Sequence, residues 1–202
     1  MKKVMLMCVV FCLCSGTTFA QGFFGGVKGG VGASQVSGDR LAGFDKAGLF
    51  GGFFVGVSLT DRSSISMEMM YVQKGSRQNA KPNKGIYSSY LLRLNYIELP
   101  LIYTWRGNDY LEVEGGFSYG YLMRNTDVEW DENGLLPFSR PFNKSEFSIH
   151  LGLSYLFNDH IKANFRLNNS LLPVREHAGG ATYRLNFGQY NTLLMLGLAY
   201  QF

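Results

Sequence analysis

Leu193-Leu194-Met195-Leu196-Gly197-Leu198-Ala199-Tyr200-Gln201-Phe202 is the stretch on which the fold turns. Side chains along a strand point alternately to its two faces. Leu194, Leu196, Leu198, Tyr200 and Phe202 therefore share one face, and Leu193, Met195, Gly197, Ala199 and Gln201 the other. The first face is large and apolar throughout and finishes on an aromatic. That pattern predicts the last strand of a transmembrane β-barrel, whose outer surface is an apolar band edged by aromatic girdles.

Working back from this strand, seven more alternating segments appear. They cover about residues 23–33, 47–59, 64–74, 89–105, 110–124, 146–157 and 161–170. The fifth is the clearest, with Leu111, Val113, Phe117, Tyr119, Tyr121 and Met123 set against Glu112, Glu114, Ser118 and Arg124. Charges that recur at every second position exclude a helical period. In the fourth segment Tyr90, Leu92, Leu94 and Tyr96 form the apolar face opposite Arg93 and Asn95. Its phase blurs at Ile97-Glu98-Leu99-Pro100, where a bulge or an edge irregularity is expected.

The connections alternate in length. Residues 60–62, 106–109 and 158–160 are short polar turns, whereas 34–46, 75–88, 125–145 and 171–189 are long. Short periplasmic turns and long extracellular loops characterise outer-membrane barrels, and strands of about ten residues span the apolar band when tilted. The reading is all-β: an eight-stranded antiparallel up-and-down transmembrane barrel. A β-sandwich or lipocalin-like barrel would bury the apolar face inside instead. The aromatics near strand ends and the few charges of mixed sign on the opposite face favour the membrane arrangement.

Targeting agrees. Lys2 and Lys3 precede an apolar run from Val4 to Leu13, and Thr18-Phe19-Ala20 places small residues where a signal peptidase reads them. Residues 1–20 are expected to be a signal peptide cleaved after Ala20, leaving residues 21–202 as one barrel domain in the outer membrane. Cys8, Cys12 and Cys14 all lie in the signal, so the mature chain offers no disulfide or thiolate metal site. The chain has 25 glycines, 5 prolines and 15% aromatic residues, a composition suited to closely approaching strands. Its formal charge is only +4, and Lys2 and Lys3 supply half of that excess, which argues against a nucleic-acid partner.

Several stretches carry a family resemblance. They are Gly25-Gly26-Val27-Lys28-Gly29-Gly30-Val31, Met67-Glu68-Met69-Met70-Tyr71-Val72-Gln73-Lys74-Gly75, Leu94-Asn95-Tyr96-Ile97-Glu98-Leu99-Pro100-Leu101 and Gly115-Gly116-Phe117-Ser118-Tyr119-Gly120-Tyr121-Leu122. In this order the chain resembles the PorT-like outer-membrane β-barrel family of Bacteroidota. The resemblance implies an eight-stranded outer-membrane barrel and, as one possible role, an accessory part in protein secretion.

The polar faces hold Lys28, Glu68, Lys74, Arg93, Glu112, Glu114, Arg124, Glu146, His150, Lys162 and Arg166. If the apolar faces meet lipid, these residues point into the lumen. Eight strands enclose a space just wide enough for side chains to fill, and buried charges need partners. The expectation is a polar lumen plugged by ion pairs, from acids on the third, fifth and sixth strands to bases on the fourth and seventh.

Catalysis has one candidate, His150, with Ser148 and Ser154 on its own face and Glu146 nearby. A lipid-modifying Ser-His-acid site is the enzymatic alternative, but no nucleophile elbow accompanies it. His160 and His177 fall in a turn and a loop without paired-ligand spacing, and no cofactor motif is present. Lys74, Arg77, Lys81 and Lys84 run through the loop 75–88, and Asp127, Glu129, Asp131 and Glu132 cluster in 125–145. Both loops are the expected contact segments for envelope partners, and the basic one also for lipopolysaccharide phosphates or an acidic surface. Leu194, Leu196, Leu198, Tyr200 and Phe202 are the expected signal for the outer-membrane assembly machinery. The function expected is a structural or interaction role in the cell envelope, with secretion accessory, lipid-modifying enzyme and narrow pore as alternatives.

Overall fold

A computed structural model describes residues 22–38, 43–85, 87–123, 128–131, 134–135, 141–176 and 188–202. The expected signal peptide, with its cysteines and cleavage site, lies outside the described residues, as do Arg124, Asp127, Glu132 and His177. Eleven strands follow in chain order: β1 (Phe23–Ser37), β2 (Lys46–Thr60), β3 (Ser63–Gln78), β4 (Tyr90–Arg106), β5 (Leu111–Leu122), β6 (Val128–Asp131), β7 (Gly134–Leu135), β8 (Ser145–Leu156), β9 (Ile161–Ser170), β10 (Arg175–Glu176) and β11 (Gly188–Gln201).

Eight of them close on themselves. The order is β1, β2, β3, β4, β5, β8, β9, β11 and back to β1, and every neighbouring pair is antiparallel. The seam that closes the barrel runs from Gly26 opposite Gln201 to Ser37 opposite Tyr190 and pairs Val27 with Tyr200. The chain is thus an all-β, eight-stranded antiparallel closed barrel. The short strands β6 and β7 extend β4 at the long-loop end, and β10 extends β11 there.

The short turns are short because side chains supply their hydrogen bonds. Asn108 Oδ1 accepts from the backbone N–H groups of Tyr110 and Leu111, both at 2.9 Å. Asn158 Oδ1 does the same for His160 and Ile161, at 2.9 and 2.8 Å. Each is an Asx turn that reverses the chain without needing more residues. Aromatic rings gather at this rim. Tyr110 stacks on Tyr155, whose edge meets Phe157, and Tyr200 lies between His160 and Phe202.

The outer wall is apolar. On β11, Leu196 and Leu198 are 57% and 58% exposed, while Leu193 and Met195 on the other face are 1% and 3% exposed. The same alternation turns Phe53, Val55, Met67, Leu101, Val113, Phe117, Leu151 and Phe165 outward. A continuous apolar wall of this size is unstable in water and matches the lipid-facing band of a membrane barrel. No helix among the described residues is long and apolar enough to cross a membrane.

The fourth segment departs from expectation. Leu92, Leu94 and Tyr96 point inward and are fully buried, while Arg93 faces out. The register of β4 with β5 runs unbroken from Tyr96 to Arg106, so no bulge reverses its phase. Pro100, which has no N–H to donate, instead interrupts the ladder to β3 beside Glu68 and Met69. Because the lower part of β4 must turn Leu99, Leu101 and Tyr103 to the lipid, its upper part necessarily turns Leu92, Leu94 and Tyr96 inward. There they pack with Val36, Leu122, Phe142 and Val174, and a second cluster joins Phe50, Met70, Val72, Leu193 and Met195. The lumen is therefore not polar throughout, and its long-loop half is filled by an apolar plug.

Candidate functional site in the barrel lumen

Below the apolar plug, charged side chains converge from six strands in three tiers. The tier nearest the short turns centres on Glu112. Lys162 and Arg106 each approach it at 3.1 Å.

The middle tier is more tightly bound. Arg166 donates through Nη1 and Nη2 to the two carboxylate oxygens of Glu68, at 2.8 and 3.1 Å, and also reaches Glu114 Oε2. Lys28 donates to Glu68 Oε1 at 2.7 Å, and Ser154 donates to Glu114 Oε1. Two acids thus face two bases, all buried or nearly so, with the planar guanidinium bridging both carboxylates.

The upper tier is built on Lys74. Its Nζ lies 2.6 Å from both Glu98 and Glu146 and donates to Asn168 Oδ1 at 2.8 Å. The ammonium also sits over the Tyr96 ring, 5.4 Å from its centroid. Ser148 and Asn191 both donate to Glu146, each at 2.7 Å. Each charge therefore has several partners, which buried ions require.

Little room remains between the tiers. A vestibule of about 440 Å³ opens at the short-turn mouth, lined by Arg106, Glu112 and Lys162 among others. Beyond it, beside Lys28, Glu68 and Arg166, the free space is about 20 Å³, comparable to a single water molecule.

With this geometry in hand, the chain can be compared with known proteins. The model of the family described as outer membrane protein beta-barrel domain matches residues 19–175. The chain belongs to that family. Among solved structures, Neisserial surface protein A (NspA) aligns over 89% of this chain and 97% of its own at 12% identity, with a TM-score of 0.53. Ail, the attachment invasion locus protein of Yersinia pestis, aligns over 90% of this chain and 99% of its own at 13% identity, with a TM-score of 0.51. At such identity these likenesses speak for the fold alone. No curated protein sequence gives a significant match.

Within this family fold, Lys28, Glu68, Glu112, Glu114, His150, Lys162 and Arg166 all lie on inward faces. Arg93 does not. The phase of β4 places it on the outer wall opposite Gly75, so its assignment to the lumen is corrected. Strand β4 contributes an acid, Glu98, in place of the expected base. The signal that could have found Glu98 is its even spacing from Leu92, Leu94 and Tyr96, had that face been read as inward.

His150 bonds to the two strands that flank its own, β5 and β9, and not along β8. Its Nε2 lies 2.8 Å from Ser118 Oγ and 2.9 Å from Asn168 Nδ2. Ser148 and Ser154 are committed to Glu146 and Glu114. The ring is buried between the middle and upper tiers, and none of the described cavities is lined by it. Among the described residues no group of three or more His, Cys, Asp or Glu is placed to hold a metal. Glu129 of the loop 125–145 pairs with Arg175 at 3.0 Å and accepts from Tyr90 Oη, so it is not turned toward the basic loop.

Proposed function

We propose that this outer-membrane barrel is closed to ions and serves the envelope as a membrane-embedded scaffold whose long loops engage a partner. The observation that carries the reading is the stacked plug: three tiers of ion pairs under an apolar layer, with only about 20 Å³ free beside the middle tier. Moving an ion through it would require breaking several buried pairs at once, each costly to open. The loops 75–88 and 125–145 are the contact segments, and an accessory role in secretion is the same scaffold docked on a secretion machine.

The test has two parts. Protein reconstituted in planar bilayers should be electrically silent, and stable single-channel steps would establish the narrow-pore alternative. A photoreactive residue placed at exposed Lys81 or Trp130 should crosslink an envelope protein in intact cells. If neither position yields a crosslink, the scaffold role is wrong.

Leu194, Leu196, Leu198, Tyr200 and Phe202 are, in this reading, also the strand face that the outer-membrane assembly machinery recognises. The support is their position on β11, the strand that must pair with β1 last to close the barrel.

A further inference from the structure

The outer wall carries a break that the lumen does not explain. Pairing of β2 with β3 stops at Phe50 opposite Val72, although β1 stays paired with β2 up to Lys46 and β3 stays paired with β4 up to Gln78. Above Phe50 the backbone ladder ends although Gly48 still lies against Gln73, and the Leu49 N–H donates to the Gln73 side chain at 3.0 Å where a strand would supply a carbonyl. The notch is an open groove of about 340 Å³ lined by Lys46, Gln73, Arg77, Leu91, Arg93 and Asn95, with Ala47 at its edge.

Three cations line it, and no described acid does. Among the described residues Lys46, Arg77 and Arg93 form no ion pair, and the one side-chain bond among them runs from Arg77 to Asn79 at 2.8 Å. Lys46 is rooted on the inward face of β2, with Phe50, and is only 5% exposed; its side chain passes beside Gly75 to border the groove, with no partner among the described residues. Burying an unpaired charge is costly, and an anion bound in the groove would relieve that cost.

Gly75 makes the convergence possible. It lies directly opposite Arg93 and has φ of +137°, a conformation that side chains disfavour. A Cβ at this position would stand 3.0 Å from Lys46 Cδ and would collide with the Leu92 carbonyl.

The height of the groove identifies its occupant. On β3 and β4 the outward face is apolar as far as the pair Tyr71 and Ile97, and turns polar at Gln73 and Asn95. Arg93 lies four residues beyond Ile97, which at about 3.3 Å per residue and about 45° tilt raises it about 9 Å above the apolar band. The headgroup layer of a bilayer begins at that boundary and is about 5–8 Å deep, so the Arg93 backbone stands at its outer edge and the long side chain reaches back into it. Guanidinium groups bind phosphate oxygens in pairs, and an ammonium adds a point charge.

We propose that Lys46, Arg77 and Arg93 form a binding site on the barrel's outer wall for the phosphate group of an outer-leaflet lipid. The lipid's acyl chains lie on the apolar wall below, against Leu49, Tyr71 and Ile97, while its phosphate enters the notch between β2 and β3.

The experiment uses the full-length barrel folded in phosphatidylcholine nanodiscs doped with phosphorylated lipid A, then extracted into detergent. Lipid A that stays bound is counted by native mass spectrometry. The unsubstituted protein should retain it. Arg93→Gln and Lys46→Gln should each lower retention about tenfold, the loss expected for one charge-assisted contact. Arg62→Gln, at the opposite rim, should leave it unchanged, and gel mobility before and after heating verifies that each variant is folded. Equal retention by folded Arg93→Gln, or of lipid A stripped of phosphate, overturns the site. Displacement by millimolar inorganic phosphate assigns the groove to free phosphate and overturns the lipid. Crosslinking of an acidic protein at position 93, with no lipid retained, overturns it equally.

Discussion

Replacing Arg166 by Met should destabilise the folded barrel by ~3–5 kcal/mol, the cost of stranding a buried carboxylate by removing its partner. The expected result is a large fall in the urea midpoint of the protein refolded in phosphatidylcholine vesicles. Arg166 alone joins Glu68 on β3 to Glu114 on β5, across the lumen from its own strand β9. Without it Glu68 keeps Lys28 at 2.7 Å, but Glu114 keeps only the hydroxyl of Ser154 in the middle tier. Glu114 is therefore the stranded charge, and Arg166→Met with Glu114→Gln should recover a substantial part of the loss. If the single variant unfolds at the unsubstituted midpoint, the tier contributes nothing. If the double variant is no better than the single one, lost packing and not charge is the cause.

Gly30→Val should prevent closure. Gly30 faces Gly197 across the β1–β11 seam, and a Cβ on Gly30 would run into the Leu196 carbonyl and the Gly197 backbone. A Cβ on Gly197 would stand 2.6 Å from the tip of the Phe50 ring, so the same spot is also packed from the lumen side. Overpacking a filled site costs ~1–3 kcal/mol when side chains can shift, and here the obstacle is the backbone of the closing strand. Refolded Gly30→Val should lose most of its heat-modifiable, closed species on gels. Gly51→Ala is the control, because its Cβ would meet nothing nearer than the Lys28 carbonyl at 3.7 Å. Normal closure of Gly30→Val would refute the seam argument.

Phe202→Ala separates closure from recognition. Phe202 is 75% exposed at the short-turn rim, and its N–H donates to Gly25 through the backbone, which alanine retains. The variant should refold normally in vitro and accumulate poorly in the outer membrane of cells. Normal accumulation in cells would remove the assembly-signal proposal.

The barrel was legible in the sequence because its signals are local. Alternation, Asn-bearing turns and aromatic strand ends are each properties of a few consecutive residues. Glu112, Glu114, Lys162 and Arg166 could be placed on inward faces for the same reason: each adjoins at least one large apolar residue whose face is unambiguous. Strand β4 was harder. Leu91, Leu92 and Leu94 put apolar side chains on both faces around Arg93, so period two alone leaves the choice of face open. Its unbroken register against β5 makes that choice, turning the leucines into the plug and Arg93 toward the headgroups.

What the sequence determined by itself is the architecture: eight antiparallel strands, their lipid-facing side, and the end that carries the short turns. Only the tertiary structure decided which charges meet. Lys74 finds Glu146 72 residues away, and Arg166 finds Glu68 98 residues away. Nothing in a period of two ranks one inward carboxylate over another. Partners are chosen by the stagger of strands around a closed barrel, which sets their heights in the lumen and exists only once β11 has paired with β1. Only the tertiary structure, too, ends the β2–β3 ladder at Phe50 and brings Lys46, Arg77 and Arg93 to one groove beyond it.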